Sequence, residues 1–216
     1  MSDAYDPADF PPLAVTVDLV LMTVNERRLA VLLQRRSEPP HKGEWALPGG
    51  FVRIDEGLDA AARRILADKA GLDDAWLEQL YSFGDPGRDP RMRIVTIAYF
   101  ALVPAGDLAA ALAGHDDLTL APLDALPALA FDHDAIVDHA AARLRGKLDY
   151  APVAFALLPP LFTLRALQDI HEAILGIPLN KPAFRRRMLD TGWIEGTGER
   201  EEGGAFRPAE LFRIKP

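Results

Sequence analysis

The stretch GGFVRIDEGLDAAARRILADKAGL, residues 49–72, decides the architecture of the chain. Gly49-Gly50 makes a sharp turn. The Ala, Leu and Arg content of Leu58–Ala70 predicts a helix, with Gly71 as its C-terminal stop. A glycine turn feeding a helix is one way to assemble a pyrophosphate-hydrolysing site. Acids at helical spacing project from one face and converge on divalent cations, which offset phosphate charge and acidify an attacking water. Glu56, Arg64 and Asp68 lie within this layout.

Working outward, Val15–Met22 alternates and is β-branched, and Leu29–Arg35 returns after a hairpin turn at Asn25–Arg28. Ser37–Trp45 is a loop. Leu77–Gly84 and Ile94–Val103 read as strands, Leu108–Leu112 as a short helix and Phe131–Leu148 as a closing helix. Met1–Pro12 is polar and Pro-rich, a flexible arm.

A second unit begins near Asp149. Ala151–Leu157 reads as a short helix. Thr163 caps Leu164–Leu175, whose apolar residues share one face. Asn180 caps Pro182–Asp190, with Pro182 in the first turn; spacing predicts that Phe184, Met188 and Leu189 are buried, leaving Arg185, Arg186 and Arg187 on the other faces. Trp193–Glu195 and Ala209–Ile214 pair around a Gly-rich turn. Helix, helix, arginine-rich helix and two-stranded wing is the order of a winged helix-turn-helix, in which the arginine-rich helix enters the major groove and its cations neutralise phosphates or reach guanine edges. The alternative is a small helical module that docks on another subunit or protein.

Charge supports this division. The net charge of −8 argues against a nucleic-acid binder taken whole, but from Lys147 onward 10 Lys and Arg stand against 9 Asp and Glu, while the rest of the chain carries 14 against 23. A tail so much less acidic than the body, with Arg185, Arg186 and Arg187 consecutive, points to a polyanion-binding tail, the alternative being a chance surface cluster. There is no cysteine, so neither disulfides nor a Cys-based zinc site exist. With no run of 18 apolar residues and no signal peptide at Met1–Pro12, no membrane partner and a cytoplasmic location are expected.

The segment from Gly49 resembles the Nudix box, G-x5-E-x7-R-E-(apolar)-x-E-E-x-G-(apolar). Gly50, Glu56, Arg64, Leu66, Gly71 and Leu72 match. Ile65, Asp68 and Lys69 stand where the other three acids belong: one lost, one shortened and one reversed in charge. A lysine in place of a ligand repels Mg2+, and Glu56 with Asp68 makes too small a donor set for a multi-metal site. Leu32–Arg36 and Trp45–Val52 continue the likeness. Phe83-Gly-Asp-Pro-Gly-Arg-Asp-Pro-Arg91 is similar to the loop of the ADP-ribose-handling branch. The tail, in Leu157–Leu164, Asn180–Gly192 and Arg207–Arg213, is similar to the C-terminal winged helix of Nudix-related transcriptional regulators of the NrtR-like type, which control NAD metabolism or sugar-use genes.

The resemblance implies an α+β chain: a Nudix α/β/α sandwich over 13–148, then a winged helix-turn-helix over 149–216. It implies a ligand-responsive regulator that binds operator DNA as a homodimer and senses ADP-ribose or a related nucleotide. No catalytic residue and no required cofactor follow from it. The competing expectation is a residual ADP-ribose pyrophosphatase using Mg2+ at Glu56 and Asp68. Implied diphosphate contacts are Arg36, Arg53, Arg88 and Arg91, by charge-assisted bonds. Glu56 and Asp89 would accept ribose hydroxyls, and Trp45 or Phe83 would stack on adenine. Packing alternatives stand beside these: Trp45 in a core, Arg64 on Glu56, and Arg88 and Arg91 on Asp85 and Asp89. Implied DNA contacts are Lys181, Arg185, Arg186, Arg187 and Arg207. The wing departs from the basic pattern of its relatives, since Glu199-Arg-Glu-Glu202 is net acidic.

Overall fold

The computed structural model describes residues 11–72, 75–201 and 208–215. The N-terminal arm lies almost wholly outside the described residues, as do Glu202 and Arg207. The first predicted hairpin forms with longer strands, β1 (Ala14–Asn25) and β2 (Arg28–Arg35). Glu26 and Arg27 between them take φ of 48° and 63°. Two positive φ values make the type I′ turn, whose twist matches that of paired strands.

The first unit continues through β3 (Trp45–Ala46), β4 (Gly49–Phe51), α1 (Leu58–Ala70), β5 (Leu77–Phe83), β6 (Ile94–Leu102), α2 (Ala105–Leu112), β7 (Leu118–Pro122) and α3 (His133–Lys147). The sheet order is β3-β2-β1-β6-β5, with β4 also on β1 and β7 also on β2. The β1–β6 pair is parallel, Ala14 opposite Ile94 through Met22 opposite Leu102. Successive side chains of a strand alternate between faces, so β1 serves two cores. Leu19 and Leu21 meet Ala62, Ile65 and Leu66 of α1 and Leu108 of α2. Val20 and Met22 meet Ile136, Val137 and Leu144 of α3 on the opposite face. Helices on both faces of one mixed sheet give the expected sandwich.

α1 has the predicted bounds and ends on Gly71 at φ 61°. Elsewhere the local pattern was incomplete. β7 has five residues and β3 and β4 three or fewer, too few for a period-two signal. α2 starts three residues earlier than read, directly after Pro104. α3 starts at His133 because Phe131 has φ 58°, which a helix excludes.

The second unit is a 3-10 turn at Val153–Leu157, β8 (Phe162–Thr163), α4 (Leu164–Leu175), α5 (Lys181–Asp190), β9 (Ile194–Arg200) and β10 (Glu210–Ile214). The short helix expected from Ala151 is that 3-10 turn, and the wing gains a third strand, in the order β8-β10-β9. Both predicted caps form: the Thr163 hydroxyl accepts from the Ala166 N–H at 3.1 Å and the Asn180 side chain from the Ala183 N–H at 3.0 Å. Each satisfies an N–H that the first turn leaves unbonded. Leu189 is 41% exposed, against expectation. α5 buries a narrow stripe, Phe184 and Met188 at i and i+4, and Leu189 lies about 100° around from Met188.

One apolar cluster joins the units. Phe155, Leu167 and Ile174 belong to the same core as Ile136 and Leu144. Polar contacts reinforce the junction: Arg27 donates to Asp169 at 3.0 Å and Arg145 Nε to the Ile174 carbonyl at 3.0 Å. Among the described residues no helix is long and apolar enough to cross a membrane.

Candidate functional site

β1 and β2 pair only near their hairpin, from Asn25 opposite Arg28 to Met22 opposite Val31. Below that they separate. β4 takes the lower half of β1, with Asp18 opposite Gly49, and β3 takes the end of β2, with Arg35 opposite Trp45. The gap is a cavity of about 370 Å3. β1 supplies Thr16 and Asp18, the end of β2 and the residue after it Arg35 and Arg36, the glycine turn Gly49–Phe51, α1 Lys69, the loop between β5 and β6 Arg88, Asp89 and Arg91, and the start of α3 His133 with Phe131 just before it. Gly49 is required here, because a Cβ at that position would lie 2.1 Å from Asp18 Oδ1.

The deep wall is an ion cluster. Arg88, with a side chain 4% exposed, donates to both oxygens of Asp132 at 2.9 and 2.7 Å and lies 3.6 Å from Asp18. Its partner is Asp132 and not the expected Asp85. His133 Nδ1 accepts from the Leu47 N–H at 2.9 Å, and its Nε2 is 3.8 Å from Asp18. Burial holds the His133 pKa below its ordinary value, against the pull of Asp18 and Asp132. An imidazole that accepts at Nδ1 is neutral and carries its proton on Nε2. Asp89 accepts from the Arg91 backbone and guanidinium at 2.9, 3.0 and 2.7 Å. Burial opposes the Asp89 charge, but the Arg91 bonds outweigh it and leave its pKa below the usual carboxylate range.

At the mouth, Arg36 donates to the carbonyls of Pro40 at 2.8 Å and Glu38 at 3.3 Å, and it lies over the Phe131 ring at 4.8 Å. Desolvation first, and the nearby Arg91 charge second, hold the Arg36 pKa below its ordinary value. Phe131 also adopts a backbone conformation that a bulky residue rarely holds, a strain that clusters at ligand sites. Phe51, 47% exposed, adds a second ring at the rim.

Of the residues read from sequence, the fold brings Arg36, Arg88, Asp89 and Arg91 into one pocket. Arg53, Glu56, Trp45 and Phe83 lie outside its lining. Arg53 is exposed, and its backbone N–H is spent on Glu56. Trp45 packs on the core with Arg35 over its ring at 5.5 Å. Phe83 packs on Tyr81 and His139. Asp18, Phe51, Phe131 and His133 were missed. The signals available were an acid within the apolar run VTVDLVLM and the Phe-Asp-His triplet at 131–133.

The donor set does not fit a divalent cation. Glu56 is held by Arg64 at 2.9 and 2.5 Å and by the Arg53 N–H at 2.8 Å. Ile65 is 1% exposed, in the core beneath Gly50. The Asp68 side chain is 57% exposed and 3.8 Å from Arg64. Lys69 lines the pocket. Among the described residues no three His, Asp or Glu side chains are placed to hold a metal.

The Arg64 side chain, and after it the Arg53 N–H, lower the Glu56 pKa from 4.5 to about 2. A depressed folded-state pKa means stability that is complete above 4.5 and is lost as pH falls toward about 2. Urea midpoints of the parent and Glu56→Gln should therefore differ at about pH 6 and converge toward about pH 3. A gap that stays constant with pH would mean the ion pair does not carry the effect.

In the second unit, α5 presents Lys181, Arg185, Arg186 and Arg187 to solvent. Arg185 is 3.8 Å from Glu210, and Arg187 is 3.4 Å from Asp149. Among the described residues Lys181 and Arg186 have no ion pair. Glu195 of the wing is taken up by Arg213 at 2.6 Å, whereas Glu199 and Glu201 are exposed.

Comparison with known proteins agrees with this geometry. Residues 12–140 match the model of the NUDIX domain, and residues 154–214 match that of the NrtR DNA-binding winged helix domain. The chain is 42% identical over 214 residues to the ADPR responsive transcriptional repressor NtrR of Acinetobacter baylyi, covering 97% of this chain and 85% of that one. It superimposes on Shewanella oneidensis NrtR complexed with a 27mer DNA with a TM-score of 0.82, 38% identity and 93% of each chain covered. The NUDIX domain of the Shewanella protein complexed with ADP ribose matches at a TM-score of 0.53 and 35% identity, over 65% of this chain and 94% of that one. The cleft of the first unit and the capped arginine helix of the second thus fall within these two matched domains, and the chain belongs to the NrtR family, a Nudix domain followed by an NrtR DNA-binding winged helix domain.

Proposed function

We propose that this protein is a homodimeric repressor of NAD or sugar metabolism genes, released from operator DNA when ADP-ribose or a closely related nucleotide fills the cleft between β1 and β2. The observation that carries this reading is the pairing of two polyanion sites of different kinds on one core. One is a concave pocket with basic and aromatic walls, and the other is a helix with four exposed cations. The names of the Acinetobacter and Shewanella relatives support the same pair of ligands.

Release requires that the nucleotide prefer the conformer that does not fit the operator. By linkage, DNA then weakens nucleotide binding by the same factor, of order 5- to 150-fold. The test is a gel shift with DNA from upstream of the neighbouring genes, with and without ADP-ribose. Retardation that ADP-ribose reverses is the expected result. No retardation at low salt sinks the DNA reading, and retardation indifferent to ADP-ribose sinks the sensing reading. Release of AMP at about 1–1000 per second with Mg2+ would make the domain an enzyme instead.

A further inference from the structure

The metal that a Nudix frame implies has no donor set here, yet a diphosphate in the cleft still needs counter-charge. Most of the pocket's cations are already engaged. Arg88 is held by Asp132 and Asp18, and Arg91 by Asp89. Arg35 donates to the Gly43 carbonyl and covers Trp45. Besides Arg35, two lining cations lack a carboxylate partner among the described residues, Arg36 and Lys69. Arg36 meets only carbonyl oxygens and the Phe131 face. Lys69 is exposed and lines the pocket from α1.

The position of Lys69 is consistent with this. It lies in the last turn of α1, where the helix dipole is negative, favours a cation and disfavours an acid not held by a metal. Ile65, one turn before it, is buried with Leu66 in the core. One substitution therefore removes a metal ligand by burial, and the other brings a positive charge to the pocket on a flexible stem. The environment of Arg36 also admits an anion. Desolvation and Arg91 disfavour its charge more than Asp89, Asp18 and Glu38 favour it, and a phosphate bonded to the guanidinium would add an opposite charge beside it.

We infer that Lys69 and Arg36 act as resident counter-ions in place of the divalent cation, so that the cleft takes a diphosphate ester without metal. Lys69 is then a specificity residue: it favours a free diphosphate over one already neutralised by Mg2+. This rests on the nucleotide-sensing reading above.

The experiment is titration calorimetry of ADP-ribose, and separately of inorganic pyrophosphate, in excess EDTA and in excess Mg2+. Four proteins are compared: the parent, Lys69→Met, Lys69→Arg and Arg36→Met. The parent should bind at least as tightly in EDTA as in Mg2+. Lys69→Met should bind roughly 10- to 100-fold more weakly, the worth of a charge-assisted bond, and Lys69→Arg should recover most of the loss. Because Lys69 is exposed, its variants should melt with the parent. Parent binding that requires Mg2+, or Lys69→Met binding as tightly as the parent, overturns the inference. Pyrophosphate binding with this lysine dependence, but no ADP-ribose binding, would leave the inference standing and refute the choice of effector. Failure of both ligands in both buffers refutes both.

Discussion

Arg185→Glu with Arg186→Glu is expected to weaken operator binding by roughly 10^2- to 10^4-fold, with little change in thermal stability. Two lost charge-assisted bonds to phosphate account for about 3–6 kcal/mol, and two new like charges against the DNA backbone add to that. Both side chains are exposed on α5, Arg186 opposite the Phe184 and Met188 stripe and Arg185 on its flank. Among the described residues Arg185 approaches Glu210 and the Phe212 ring, at 3.8 and 5.9 Å. Surface changes of this kind usually move folding by about 0.5 kcal/mol or less. Affinity measured against salt should show the dependence of log K on log salt becoming shallower by about two units. Parent-like affinity in the double variant would place the DNA contact elsewhere and leave α5 as a packing helix.

The second large effect concerns the lost acid. Ile65→Glu should not restore metal binding; it should destabilise the Nudix domain by about 3–5 kcal/mol, since it places an unpaired carboxylate in the core and forfeits an isoleucine's burial. Ile65 is 1% exposed among Ala62, Leu66 and Leu21, and it would contact a Cβ at Gly50 at 3.4 Å. For a chain of this size each kcal/mol shifts the melting temperature by about 2–4 °C, so a fall of roughly 6–20 °C is expected. Ile65→Val, costing about 0.5–1.5 kcal/mol, is the control. A Glu variant that melts with the parent and binds Mg2+ would show that the core under the glycine turn can open and admit a metal ligand.

The contrast between these two residues shows where legibility ended. Arg185 and Arg186 could be assigned to an exposed face because the Asn180 cap, Pro182 and the apolar residues at Phe184 and Met188 fix the face of α5 from within its own ten residues. Leu189 failed the same reasoning because the width of the buried stripe depends on what packs against it. Ile65 could be read as a missing ligand, but its place in the core was visible only once β4 lay against β1 and put Gly50 above it. The pocket divides likewise. Arg36, Arg88, Asp89 and Arg91 stood in motifs that resemblance could find. Asp18 was one acid in an apolar strand, and Phe131 looked like the first residue of a helix.

From the chain alone came what neighbours along the chain enforce: the hairpin turn, the bounds of α1, both helix caps and the order of the winged helix; resemblance to the Nudix box added Ile65 and Lys69 at two of its acid positions. Only the tertiary structure decided which cations are free. Among the described residues Arg88 is occupied by Asp132, Arg91 by Asp89 and Arg35 by the Gly43 carbonyl and the Trp45 ring, while Arg36 and Lys69 line the cleft without a carboxylate. The reason is that ion pairs and cleft walls are set by strand pairing between distant segments. β1 leaving β2 to pair with β4, and the segment before α3 folding back beneath them, have no signature within any one window of sequence.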